Sequence, residues 1–134
     1  MLQPHIQLDE SLGIRCALLP GDPARVDRIA SHLQEIQELT YNREFRSLWG
    51  TYRGVPVLAL STGIGGASAA IAVEELRHIG VTAMIRIGSC GALQKEIDLG
   101  DLIFACGAIR DDRASPAYAE LRYPAVPDDG LLRC

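Results

Sequence analysis

A chain of 134 residues, 48% of them hydrophobic and 22% charged, can bury a core without disulfides or a structural metal. Its formal net charge of −4 argues against a nucleic-acid partner, because surfaces that neutralise phosphate backbones are basic. Aromatic residues, at 5%, offer few stacking platforms, and no apolar stretch approaches the ~18 residues that cross a bilayer, so no membrane partner is expected.

The N-terminal segment carries Pro4, His5, Asp9 and Glu10 instead of a basic stretch followed by an apolar one, which is not the pattern of a secretory leader. The expected compartment is the cytoplasm. Cys16, Cys90, Cys106 and Cys134 form neither a CxxC pair nor a Cys/His cluster, and buried free thiols are the expectation. Ile14 to Leu19 is an apolar run read as a strand, closed by Pro20-Gly21-Asp22-Pro23. Ala24 to Leu33 follows with helical spacing at Val26, Ile29, Ala30 and Leu33, with Asp22 as N-cap and Pro23 in the first turn.

Ile36 to Tyr52 is mixed in pattern, and Arg53-Gly54 joins it to the apolar run Val55 to Leu60 as a hairpin. The loop Ser61-Thr62-Gly63-Ile64-Gly65-Gly66 leads into an amphipathic helix over Ala67 to Ile79. That helix has a polar run at Glu74, Glu75, Arg77 and His78 and a stop at Gly80. Val81 to Ile87 reads as a buried strand before the loop Gly88-Ser89-Cys90-Gly91, and Leu102 to Ile109 as a further strand. Beyond Arg110 the chain is charged and Pro-rich and is expected to be irregular. Asp128 to Cys134 reads as the first turn of a helix. Alternating strands and helices without repeats or linkers predict a single α/β domain with a parallel or mixed sheet.

Three strand ends run into Gly-bearing loops, at Gly21, at Gly63 to Gly66 and at Gly88 to Gly91. In a parallel arrangement all three lie at the carboxyl edge, where open α/β sheets bind ligands, and bare backbone N–H groups with helix starts suit an anion. Arg86, near the end of an apolar strand, needs either a carboxylate partner or a bound anion. Ser89 could add donors to an oxyanion, and Arg25 and Arg43 could complete a guanidinium cluster, although each of these arginines taken alone is more often a solvated surface charge. A dinucleotide fingerprint is weakened because Ser68 stands at its third glycine and Arg86 replaces the acidic ribose ligand. No Gly-x-Ser-x-Gly elbow occurs. His5, His32 and His78 each read, from their neighbours, as surface histidines.

The blocks Leu19-Pro20-Gly21-Asp22-Pro23-Ala24-Arg25, Asn42-Arg43-Glu44-Phe45, Ser61 to Ser68 with Ala72 to Leu76, and Ile85 to Ala92 resemble the nucleoside phosphorylase-I family. Within it they are most similar to uridine phosphorylases, in family order and over nearly the whole chain. The resemblance implies a three-layer α/β/α sandwich around a mixed sheet, of which residues 1–134 would be the N-terminal portion of one nucleoside phosphorylase domain. It implies a pentosyltransferase that cleaves a nucleoside with inorganic phosphate, releasing base and pentose 1-phosphate, with no organic cofactor.

By motif match Gly21, Arg25, Arg86 and Ser89 would bind phosphate, with Arg86 the catalytic group, and Arg43 would reach the site of a neighbouring subunit. His5 would serve the sugar 5′-hydroxyl from the partner chain, which displaces its reading as a surface histidine. Glu44, Ile64 and Ser68 would share a monovalent cation such as K+ between subunits. A shared site implies a homo-oligomer, at least a dimer, and the family stacks dimers into hexamers. Cys90 and Gly91 fall in the loop beside the base. Ser89-Cys90 stands where uridine phosphorylases carry two threonines, and Gly-Ser-Cys-Gly is familiar from purine phosphorylases, so both base classes stay open. Family members run to about twice this length, and an active site impaired by truncation is expected. A nucleosidase of the same superfamily and a non-catalytic phosphate- or nucleotide-binding oligomerisation module are the alternatives.

Overall fold

A computed structural model describes residues 1–133, gathered into two compact units, Met1–Gly88 and Ser89–Cys134. In the first unit β1 (Cys16–Pro20), β2 (Gln34–Asn42), β3 (Phe45–Tyr52), β4 (Val55–Leu60) and β5 (Ala83–Ile87) form one sheet in the order β2-β3-β4-β1-β5. β2, β3 and β4 are antiparallel neighbours, whereas β4, β1 and β5 run parallel, so the sheet is mixed as expected. The β3–β4 hairpin turns at Arg53 and Gly54, both at positive φ (50° and 79°), the backbone a two-residue hairpin demands. The mixed pattern of Ile36 to Tyr52 resolves into a second hairpin, β2–β3, turning at Arg43-Glu44.

Strand alternation supplies the two apolar faces. Leu58 and Leu60 of β4, with Phe45 and Leu19, pack on one face against Ala72 and Leu76 of α2 (Gly66–His78) and against Ile6 and Leu8 of the N-terminal segment. Ala59 and Leu48 point to the other face and meet Val26 of α1 (Arg25–Ala30). Helices on opposite faces make three α/β/α layers, and each fully buried Leu contributes about 1.5–3 kcal/mol. α2 stops where Gly80, at φ +96°, bonds back to Arg77 while the Val81 N–H reaches Leu76 O at 3.0 Å, a paired closure that leaves the chain aimed at β5.

The helix expected from Ala24 to Leu33 is shorter. Asp22 Oδ1 accepts the Ala24 N–H at 2.9 Å, making Pro23 and Ala24 a turn and moving the first helical residue to Arg25. At the other end Leu33 N–H bonds to Ala30 O at 2.9 Å, and Leu33 joins the Val26 cluster from a tightened turn that feeds β2. β5 differs from the buried strand expected there. Among the described residues no strand flanks it on the side away from β1, and Ile85 and Ile87 stay 46% and 40% exposed.

In the second unit the expected strand over Leu102 to Ile109 does not form. An isolated bridge, Ala108 to Ala125, is its one sheet-like pairing, and Leu102, Phe104 and Ile109 are exposed. Without a neighbouring ladder the backbone gains nothing from extension there. The irregular segment beyond Arg110 is instead organised by that residue. Arg110 Nε donates to Ser115 Oγ at 3.1 Å, Nη2 to the carbonyls of Ser115 and Ala119 at 2.7 and 2.6 Å, and Nη1 to those of Glu120 and Tyr123. Asp112 accepts from the Ser115 N–H and hydroxyl, which hold its carboxyl below the usual aspartate range. The expected helix start is present as α3 (Asp129–Leu132), capped by Asp128 Oδ1 on the Leu131 N–H at 2.9 Å. Cys16 is half-buried, but Cys90 and Cys106 are exposed, contrary to the expectation of buried thiols, because they lie in irregular backbone of this unit; Cys134 lies outside the described residues.

Candidate functional site

The parallel strands β4, β1 and β5 end side by side, and the loops that leave β4 and β1 are tied together. Thr62 N–H bonds to Pro20 O and Gly63 N–H to Gly21 O, both at 2.9 Å, so the ladder continues past the strand ends. A Cβ added at Gly21 would stand 2.9 Å from Arg86 Nη2 and 3.2 Å from Gly63 O, so the guanidinium lies directly on bare backbone. Arg86 Nη1 donates to Leu19 O at 2.8 Å and to Ile87 O at 3.3 Å, which fixes the group over the end of β1.

The sequence pattern puts Arg86 in a core strand, but β5 is an edge strand among the described residues and Arg86 is exposed. The two partners open to it are a carboxylate and an anion. Among the described residues no carboxylate lies within ion-pair distance of it. Anchored by carbonyls that carry no net charge, the guanidinium retains a full positive charge at the carboxyl edge of the sheet, with donors to spare. The Gly63 to Gly66 loop at the same edge opens into α2, whose N-terminal dipole adds to the positive potential.

Arg25 is the half-buried first residue of α1, and its backbone N–H bonds to Asp22 O at 3.0 Å. Arg43 takes φ +56° at the exposed tip of the β2–β3 hairpin, and its charge acts on the neighbouring Glu44. Ser89, Cys90 and Gly91 open the second unit in exposed, irregular backbone. The first unit thus brings Gly21, Gly63 and Arg86 together, while Arg43 stands on a separate hairpin.

Glu44 and Ser68 are joined. Ser68 Oγ lies 2.9 Å from Glu44 Oε1 and 2.5 Å from Thr62 O. Gly63, at φ +69°, makes this possible, since a Cβ there would come within 2.6 Å of Glu44 Cγ. The backbone N–H of Glu44 itself and then the Ser68 hydroxyl hold the Glu44 carboxyl below the usual glutamate range, with the charges of Arg43 and His5 adding to the effect. Ile64 is 99% exposed at the head of the same loop. Carboxylate, hydroxyl and carbonyl oxygens are the donor chemistry of a hard monovalent cation, but this group is too few to complete a shell, so a fit requires oxygens from elsewhere. Among the described residues no group of three or more His, Cys, Asp or Glu could hold a metal ion, and no helix is long and apolar enough to cross a membrane.

A contact that sequence reasoning missed joins His5 and Glu75. Glu75, expected on the solvated face of its helix, is 6% exposed, and its carboxylate accepts the Ile6 N–H at 2.8 Å and the His5 N–H at 3.1 Å. His5 Nδ1 lies 2.5 Å from Glu75 Oε1. Burial pushes the Glu75 carboxyl up, yet these hydrogen bonds outweigh it and the net direction is down. The signal is present in the spacing: Glu75 falls between Ala72, Leu76 and Ile79, the positions that face the sheet. His32 and His78 are exposed, as expected.

The sequence profile of the phosphorylase superfamily matches residues 15–134. The chain belongs to that superfamily. It is 48% identical over 127 residues to a uridine phosphorylase of Thermococcus kodakarensis, covering 95% of this chain and 46% of the relative. It is 44% identical over 130 residues to a guanosine phosphorylase of Halorubrum lacusprofundi, covering 97% of this chain and 54% of that protein. The crystal structure of uridine phosphorylase from Vibrio fischeri ES114 superposes with a TM-score of 0.93 at 45% identity, over 98% of this chain and 55% of that one. The chain therefore spans about half the length of the relatives it matches. The resemblance carried by the sequence blocks and the expected mixed-sheet sandwich both hold in this superfamily member.

Proposed function

We propose that the chain is the phosphate-binding portion of a nucleoside phosphorylase domain, acting on a uridine-type nucleoside. The observation that carries this reading is Arg86, held over Gly21 by main-chain carbonyls without a carboxylate partner among the described residues. A nucleosidase that uses water would have no need of such a charge. In the reaction a phosphate oxygen attacks the anomeric carbon as the N-glycosidic bond breaks. The bonding pair leaves with the base, which takes up a proton. Positive charge grows on the sugar in the transition state, so a dianion held rigidly beneath it serves as nucleophile and counter-charge at once.

In this reading Gly21, Arg25, Arg86 and Ser89 bind phosphate, with Arg86 catalytic, and Arg43 reaches the site of a second copy of the chain. His5 serves a sugar hydroxyl across the same interface, and Cys90 and Gly91 flank the base. Glu44, Ile64 and Ser68 supply half the shell of a monovalent cation, K+ being the expected ion, completed by the second copy. The assembly is a homo-oligomer, at least a dimer, with a hexamer of stacked dimers as its larger form. The free thiols of Cys16, Cys90 and Cys106 suit a reducing cytoplasm. A uridine phosphorylase and a guanosine phosphorylase are similarly distant relatives, which keeps a purine nucleoside as the second substrate class.

Two measurements separate the readings. Inorganic phosphate is expected to raise the thermal unfolding midpoint, and Arg86→Ala to abolish that protection; protection that survives the substitution refutes the site assignment. With uridine and guanosine as substrates, phosphate-dependent base release supports a phosphorylase and phosphate-independent release a nucleosidase. Tight self-association without release points to a non-catalytic module.

A further inference from the structure

Glu75 is an anomaly in α2. A carboxylate 6% exposed beside Ala72 and Leu76 is costly unless its oxygens are satisfied, and nothing in the phosphate site calls for it. Its partners all come from two consecutive residues of the N-terminal segment: the N–H of Ile6 at 2.8 Å, the N–H of His5 at 3.1 Å and His5 Nδ1 at 2.5 Å. The same segment is held from β2, where Asn42 Nδ2 donates to His5 O and Thr40 Oγ1 to Ile6 O, both at 2.8 Å. The His5 ring stands edge-on to Phe45, 6.3 Å between centroids at 70°. Backbone, ring plane and one ring nitrogen are therefore all constrained, while the side chain keeps 38% of its surface exposed.

We propose that Glu75 is a positioning residue for His5, fixing the proton of the neutral imidazole on Nδ1 and leaving Nε2 as a directed hydrogen-bond acceptor for a ligand hydroxyl. An ionised carboxylate only accepts, so the ring nitrogen 2.5 Å from it is the donor, and the neutral ring then carries its lone pair on Nε2. Among the described residues Nε2 has no partner. A hydroxyl is the ligand group that such an acceptor takes, and the proposal rests on the reading that His5 serves the sugar of a nucleoside.

The experiment reads the tautomer without relying on turnover. Long-range proton–nitrogen spectra of the histidine side chains, with His5 assigned by His5→Gln, are expected to show Nδ1 protonated and Nε2 bare for the neutral ring in the unliganded protein. Glu75→Gln retains the volume and an acceptor for the backbone N–H groups but presents an amide donor to Nδ1, and is expected to shift the ring to the Nε2–H form. A role confined to pinning residues 5–6 would leave the ring as the mixture of free histidine, and that spectrum in the wild-type chain overturns the proposal. The wild-type spectrum decides this arm even if Glu75→Gln fails to fold. The phosphate-protection test of Arg86 is independent of His5. An Nδ1–H ring with no phosphate protection leaves the positioning role standing and removes the functional reading; protection with a free-histidine mixture does the reverse.

Discussion

Val55–Leu60 and Leu102–Ile109 are apolar runs of similar length, each entered from a glycine turn, and they end up in opposite environments. The first is β4, paired with β3 on one side and β1 on the other, with Leu58, Ala59 and Leu60 fully buried between α1 and α2. The second, in the unit Ser89–Cys134, has one isolated bridge at Ala108 and leaves Leu102 at 82% and Phe104 at 73% exposure. The difference teaches that an apolar run states a capacity for burial, and that a strand appears only where a neighbouring ladder and a covering layer exist.

The sharpest way to break this contrast is to truncate a side chain that the first unit buries. Leu58→Ala, at a fully buried position between β4 and α2, is expected to cost about 2–5 kcal/mol in urea unfolding followed by circular dichroism. A loss no larger than that of a surface substitution would mean that the sheet is not the stable element. Next comes Gly63→Ala. Its Cβ would meet Glu44 Cγ at 2.6 Å from a backbone at φ +69°, so about 1–3 kcal/mol is expected, together with separation of Glu44 from Ser68.

Acid gives a smaller effect with a definite sign. The Glu75 carboxyl is held below its ordinary value of 4.5 in the folded chain, so its contribution is fully present above that value and fades as pH falls through the lowered one. Asp27, beside Arg46, and Glu44 are lowered too and lose in the same direction. The informative quantity is therefore the stability difference between wild type and Glu75→Gln, expected to shrink as pH falls below about 4.5. The smallest effect is expected from Leu102→Ala, under about 0.5 kcal/mol at a position 82% exposed. A loss comparable with Leu58→Ala would show that the second unit buries this side chain in solution.

Much of the candidate site is legible in the amino-acid order. The blocks from Leu19-Pro20-Gly21 to Ile85-Arg86 point to glycine loops at one sheet edge and an arginine beside them, and the parallel pairing of β4, β1 and β5 puts them there. Two expectations fail for lack of tertiary information. The apolar run Ala83 to Ile87 suggests a buried Arg86, but burial of that strand depends on what flanks it. The charged neighbours Glu74 and Arg77 suggest a solvated Glu75, although helical spacing from Ala72 and Leu76 turns it inward. His5 cannot be linked to Glu75 from local pattern at all, since the contact joins residues 70 positions apart.

Local chemistry in the sequence was enough to specify the superfamily, the glycine turns and the α2 stop at Gly80, because backbone conformation and residue spacing act over a few positions. Tertiary contacts alone decided that Arg86 rests on main-chain carbonyls, that Glu75 receives the N-terminal segment and that Leu102–Ile109 forms no strand. Burial and ion pairing depend on groups distant in sequence, and a side chain's charge or hydrophobicity carries no record of which of them will come near.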